Sequence, residues 1–159
     1  MPQESLKAMT ADRAADLLAK VRQALALAPR EQAMADLVQV LKQSEPRYNW
    51  VGIYLLEGDE LVLGPYLGKP SPHNRIPLGQ GICGAAARER QTVVVPDVNA
   101  DPRYLACSLE TRAEIVVPVF RDGQVVGEID IDSDLPDAFN DLDRDVLERA
   151  AALLSERLD

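Results

Sequence analysis

The stretch Glu114-Ile-Val-Val-Pro-Val-Phe-Arg-Asp-Gly-Gln-Val-Val-Gly-Glu-Ile-Asp-Ile-Asp-Ser133 decides the fold. Residues 114–120 and 124–132 are rich in Val and Ile, and Arg121-Asp-Gly123 between them carries the Asp-Gly signal of a tight hairpin turn. Two antiparallel strands are therefore expected here. Side chains alternate faces along a strand, so Asp130 and Asp132 share one face while Ile129 and Ile131 take the other.

A second hairpin is expected further upstream. Asn49-Trp-Val-Gly-Ile-Tyr-Leu-Leu56 and Leu61-Val-Leu-Gly-Pro-Tyr66 flank the turn Glu57-Gly-Asp-Glu60. Between the hairpins, residues 68–75 read as a loop marked by Pro70, Pro72 and Asn74, and contain His73, the only histidine. Residues 82–90 read as a short helix opened by Gly79 and Gly81, 92–95 as a buried strand, and 96–113 as a long loop. A loop of that length in a compact domain is usually functional or disordered.

Helices close both ends. Residues 11–27 place Ala14, Leu17, Leu18, Val21, Ala24 and Leu25 on one stripe, and Pro29 stops the pattern. A second helix is expected over about 30–44, with Met34, Leu37, Val38 and Leu41 as its stripe. The last helix starts near Asn140, a good N-cap, followed by Asp141 and Asp143 where negative charge suits the helix dipole. Hairpin-joined strands with terminal helices predict a single antiparallel α+β domain over 1–159.

The 159 residues fit one domain with a core of its own. A formal charge of −9 disfavours phosphate backbones, so no nucleic-acid partner is expected. No long uncharged apolar run suggests a membrane span, and residues 1–7 lack a signal-peptide pattern. The expected compartment is the cytoplasm, where two cysteines are normally reduced.

Those cysteines are Cys83, in Gly79-Gln-Gly-Ile-Cys-Gly84, and Cys107, in Asp101-Pro-Arg-Tyr-Leu-Ala-Cys107. Cys107 sits in a polar loop, while Cys83 stands near a helix start, where the dipole is expected to lower a thiol pKa. They read either as a nucleophile with a resolving thiol or as two small buried hydrophobes. Glu114, Asp130 and Asp132 read either as a cluster that binds a cation and tunes proton donation, or as an exposed face at a strand end. Trp50 and Tyr54 lie four apart in one strand, so on one face, and wall an apolar pocket or belong to ordinary core. His73 and the two cysteines lack metal-type spacing, so neither a metal nor a cofactor is expected.

Asn49-Trp-Val-Gly-Ile-Tyr, Leu63-Gly-Pro-Tyr, Arg75-Ile-Pro-Leu-Gly-Gln-Gly-Ile-Cys-Gly, Val95-Pro-Asp-Val, Leu105-Ala-Cys, Glu114-Ile-Val-Val-Pro and Ile129-Asp-Ile-Asp-Ser together resemble the free methionine-R-sulfoxide reductases, over about residues 30–158. The resemblance implies a GAF fold: a central antiparallel sheet, N- and C-terminal helices on one face and a pocket on the other. It implies free L-methionine (R)-S-oxide as substrate and thioredoxin as final reductant. Cys107 matches the attacking cysteine and Cys83 one of two further cysteines. Glu114, Asp130 and Asp132 match the pocket acids, and Trp50 with Tyr54 the aromatic wall. The family's usual resolving cysteine, in the loop before Arg-Ile-Pro, is absent from Gly68-Lys-Pro-Ser-Pro-His-Asn-Arg75. Cys83 or an external thiol is then expected to resolve; the alternative is a stand-alone GAF sensor of a small amino-acid-like ligand or of redox state. A homodimer through the N-terminal helices is a further expectation.

Overall fold

Six strands form one antiparallel sheet, in a computed structural model that describes residues 8–106 and 108–158. In chain order, β1 is Trp50–Glu57, β2 Glu60–Leu67, β3 Arg75–Pro77, β4 Val93–Val95, β5 Ala113–Arg121 and β6 Gln124–Ser133. Their spatial order is β3-β2-β1-β6-β5-β4. The two expected hairpins thus lie side by side, joined through β1 and β6. Asp122 and Gly123 both have positive φ (52° and 78°), the geometry a two-residue hairpin turn needs.

Alternation along the central strands makes two unlike faces. Val51, Ile53, Ile115, Val117, Ile129 and Ile131 face α2 (Arg30–Ser44) and α4 (Asp141–Ser155) in the larger core. Helix α1 (Ala11–Leu25) packs against α2 and α4 and buries Leu17, Val21 and Leu25 there. Its stripe is thereby used inside the chain. Across the sheet, α3 (Gly81–Glu89) packs on β3, β4, β5 and β6 over a smaller core that includes Trp50, Tyr54, Ile82, Cys83 and Val116.

The helices are pinned to the sheet by a buried charge network. Arg47 is fully buried and donates to Glu45, to both carboxyl oxygens of Asp143 and to the Ala138 carbonyl. Tyr48 Oη donates to Asp143 at 2.6 Å. Asp143 also accepts the Asn140 backbone N–H, while the Asn140 side chain caps α4 in return. Among the described residues, no helix is long and apolar enough to cross a membrane.

Three expectations are corrected. Helix α1 stops at Leu25, two residues short of 27, and Leu27 is 94% exposed: the chain must leave helical geometry ahead of Pro29. Residues 75–77, partly read as loop, form the edge strand β3 against Glu60–Val62, where the missing N–H of Pro77 is tolerated. Within the long loop, among the described residues, Val98–Ala100 form a 3-10 turn.

Candidate active site

Strand β6 brings Glu128, Asp130 and Asp132 to the α3 side of the sheet, 0%, 3% and 2% exposed. Glu114 joins them because it pairs directly with Asp132 across β5 and β6. That pairing depends on an irregularity. Between Val119 and Phe120 the register shifts by one residue, with an extra residue on β6. Without this bulge Glu114 would pair with Ile131 and face the helices, since a one-residue slip exchanges the faces.

The cluster is electrically costly. Burial raises the Asp130 pKa above the usual carboxylate range, against the hydrogen bonds from Glu114 and Cys83 and the charge of His73. Asp132 is raised well above that range by burial, then by the Asp130 charge, with Glu114 opposing. Glu128 is raised well above it by burial and by Asp130, and the weakly donating Cys83 thiol beside it eases the cost. Among the described residues, no hydrogen bond of good geometry reaches Asp130 Oδ1, Asp132 Oδ1 or either Glu128 carboxyl oxygen, all of them buried. Burial thus favours the protonated form of these acids, and a neutral carboxyl is a proton donor.

Cys83 is the third residue of α3 and is buried. The expectation that the helix start lowers its pKa is reversed. Burial, followed by the charges of Asp130, Glu128, Glu114 and Asp132, pushes the thiol well up. Cys107 lies outside the described residues.

The aromatic wall is built on β1. Trp50 pairs with Asp132, Gly52 with Asp130 and Tyr54 with Glu128, so the three residues run beside the acids. The Trp50 ring lies over Gly52, where an added Cβ would stand 2.3 Å from Trp50 Cη2. Trp50 stacks on Tyr66 with centroids 5.5 Å apart, and its Nε1 donates to the Lys69 carbonyl at 2.9 Å. Tyr54 Oη donates to the His73 carbonyl at 2.8 Å.

Two cavities flank the cluster. One of about 230 Å³ is lined by Trp50, Gly68, Lys69, Ser108 and Asp132. This is below the roughly 300–1,000 Å³ of drug-sized sites, and suits a ligand of amino-acid size. The other, about 10 Å³, is lined by Tyr54, His73, Cys83, Leu105, Glu114 and Asp130. Loop 96–112 is tied over this region to loop 68–74. His73 Nε2 meets the Ala106 carbonyl at 3.0 Å, and Lys69 Nζ pairs with Glu110 at 2.9 Å.

The structure thus brings together Cys83, Glu114, Asp130, Asp132, Trp50 and Tyr54 of the expected set. Glu128 and Gly52 were not anticipated. The alternation that paired Asp130 with Asp132 also contained Glu128, two residues earlier. Gly52 left a trace as the lone glycine between Trp50 and Tyr54.

A buried acid cluster on the sheet face opposite the terminal helices, under an aromatic wall, defines a small-molecule pocket in a GAF-type sheet. The sequence profile of the GAF domain matches residues 29–158, and the chain belongs to that family. It is 41% identical over 125 residues to the free methionine-R-sulfoxide reductase of Escherichia coli (strain K12), covering 79% of this chain and 75% of that protein. It is 38% identical over 124 residues to GAF domain-containing protein A of Dictyostelium discoideum, covering 76% and 78%. Among solved structures, the free methionine-R-sulfoxide reductase of Neisseria meningitidis, in complex with its substrate, superposes with a TM-score of 0.88 at 38% identity, covering 96% of this chain and 94% of that one.

Proposed function

We propose that this chain reduces free L-methionine (R)-S-oxide to methionine. The observation that carries this reading is the buried cluster of Glu114, Asp130 and Asp132 beside the Trp50 wall, in a chain 38% identical to a reductase solved with its substrate. Protonated carboxyls can protonate a sulfoxide oxygen as a thiolate attacks sulfur, and an ionised one can hold the ammonium of a free amino acid. Trp50 and Tyr54 offer apolar surface to the thioether end.

Cys107 is assigned the attack, and Leu105 and Ser108 beside it line the two cavities. Its thiol takes the oxygen, giving Cys107 sulfenic acid and methionine. The Cys83 thiol then condenses with the sulfenic acid, forming a disulfide and releasing water. A thioredoxin dithiol reduces that disulfide by exchange and is itself oxidised. We place α1 in the same domain, since it packs on α2 and α4. We propose that any homodimer uses a surface other than the α1 stripe, whose Leu17, Val21 and Leu25 pack inside the chain.

The test is a coupled assay with thioredoxin, its reductase and NADPH, free methionine-R-sulfoxide as substrate and the S epimer as control. NADPH loss with the R epimer alone is expected. No loss above blank, with both thiols confirmed reduced, overturns the reading. Saturable binding without turnover would then favour the sensor alternative, which the missing loop cysteine in 68–75 motivates.

A further inference from the structure

The geometry points to a binding site for one thiophilic divalent cation of the zinc class, held by Cys83 Sγ and a carboxylate oxygen from each of Glu114 and Asp130. The three donor atoms lie within 4.8 Å of one another, all on buried residues. They come from α3, β5 and β6, whose mutual packing fixes their positions. Small side-chain rotations bring such separations to the roughly 3–4 Å between donors around a tetrahedral zinc.

A second observation is independent of the cluster's composition. Asp130 is only 3% exposed, and while Glu114 and Cys83 bond its carboxyl group, its Oδ1 is buried with no hydrogen-bond partner among the described residues. Buried oxygens are satisfied in nearly all folded proteins, and a cation supplies what this one lacks. The adjoining cavity, about 10 Å³, has room for about one water-sized occupant.

The donor types choose the ion. A thiolate beside carboxylates suits zinc and its neighbours, whereas magnesium and calcium take oxygen shells. His73 lines the same cavity and is the candidate fourth donor. A carbonyl only accepts, so His73 Nε2 donates in its contact with Ala106, which leaves Nδ1 as the ring nitrogen that can ligate. A carbonyl-bound imidazole is a common way to orient a metal ligand. Binding displaces the Cys83 proton, and any carboxyl proton, to solvent; no electron moves.

The site shares Glu114 and Asp130 with the substrate pocket of the proposed reductase, and in that respect rests on that reading. The test omits substrate, so the two readings fail separately. Reduced full-length protein is titrated anaerobically with Co²⁺ alone. One equivalent should bind with a thiolate-to-cobalt charge-transfer band, and Zn²⁺ should displace it. The band should persist in Cys107→Ser and vanish in Cys83→Ser, with circular dichroism checking the fold. Asp130→Asn, nearly isosteric, should weaken Co²⁺ roughly tenfold or more, and keeps the test sound if Cys83→Ser does not fold. No band with both thiols confirmed reduced, a band retained by folded Cys83→Ser or lost in Cys107→Ser, or unchanged affinity in Asp130→Asn overturns the proposal.

Discussion

Glu114 and Asp132 are direct cross-strand partners on β5 and β6 and share a hydrogen bond in a buried site. Two carboxyls can share such a bond only when one carries a proton. The pair is thus a proton store built into the sheet. Asp132→Asn keeps the shape and removes the acid. It is expected to lower kcat/KM for the R-sulfoxide about 10²–10⁴-fold, the range general acids contribute. Because the Asp132 pKa is raised, wild-type activity should fall as pH rises through it, and steady-state pH profiles of both proteins check this.

Glu128 has an opposite cost. Its folded pKa is raised well above that of the unfolded chain, so the folded state binds the extra proton. Stability should then decline as pH climbs from the ordinary carboxylate range toward the folded value. Glu128→Gln is expected to be more stable than wild type at pH 8 and to flatten that decline. Urea midpoints at pH 5 and pH 8 measure it; a variant with an unchanged pH slope would contradict the assignment.

Gly52 allows the Trp50 ring to lie flat on β1. Gly52→Ala is expected to lift the ring and cost about 1–3 kcal/mol through overpacking. Since Trp50 is the only tryptophan, its fluorescence reports the event directly. A red-shifted emission and a raised KM should appear together.

Asp143 serves Arg47, Tyr48 and the α4 cap at once. Asp143→Ala leaves a fully buried guanidinium short of its partner, and a loss of about 3–5 kcal/mol is expected. Chemical denaturation should show it, with no change in the substrate preference of the folded fraction.

The two cysteines should separate in time. Cys107→Ser is expected to abolish methionine release. Cys83→Ser should allow one equivalent of methionine in a single-turnover experiment and then slow recycling. Full multiple turnover by Cys107→Ser would contradict its role.

Local rules carried the reading of the sequence a long way. Period-two alternation placed Asp130 with Asp132 and Trp50 with Tyr54, and Asp122-Gly123 marked the central hairpin. What alternation cannot supply is register across strands. The bulge near Val119 alone turns Glu114 toward Asp132, and no residue type announces it. The pKa of Cys83 was misjudged for a related reason. The helix start is local, but the burial and then the four carboxyls that outweigh it come from the fold, the carboxyls from two strands distant in sequence. The pairing of Arg47 with Asp143, 96 residues apart, escaped notice because neither residue is unusual until the fold buries both.

The ties from His73 to Ala106 and from Lys69 to Glu110 cross-link two loops that the chain writes far apart. Lengthening or shortening either stretch breaks its tie to the other. Insertions there should survive only in matched pairs, and a grafted loop from a relative should work only when its counterpart travels with it.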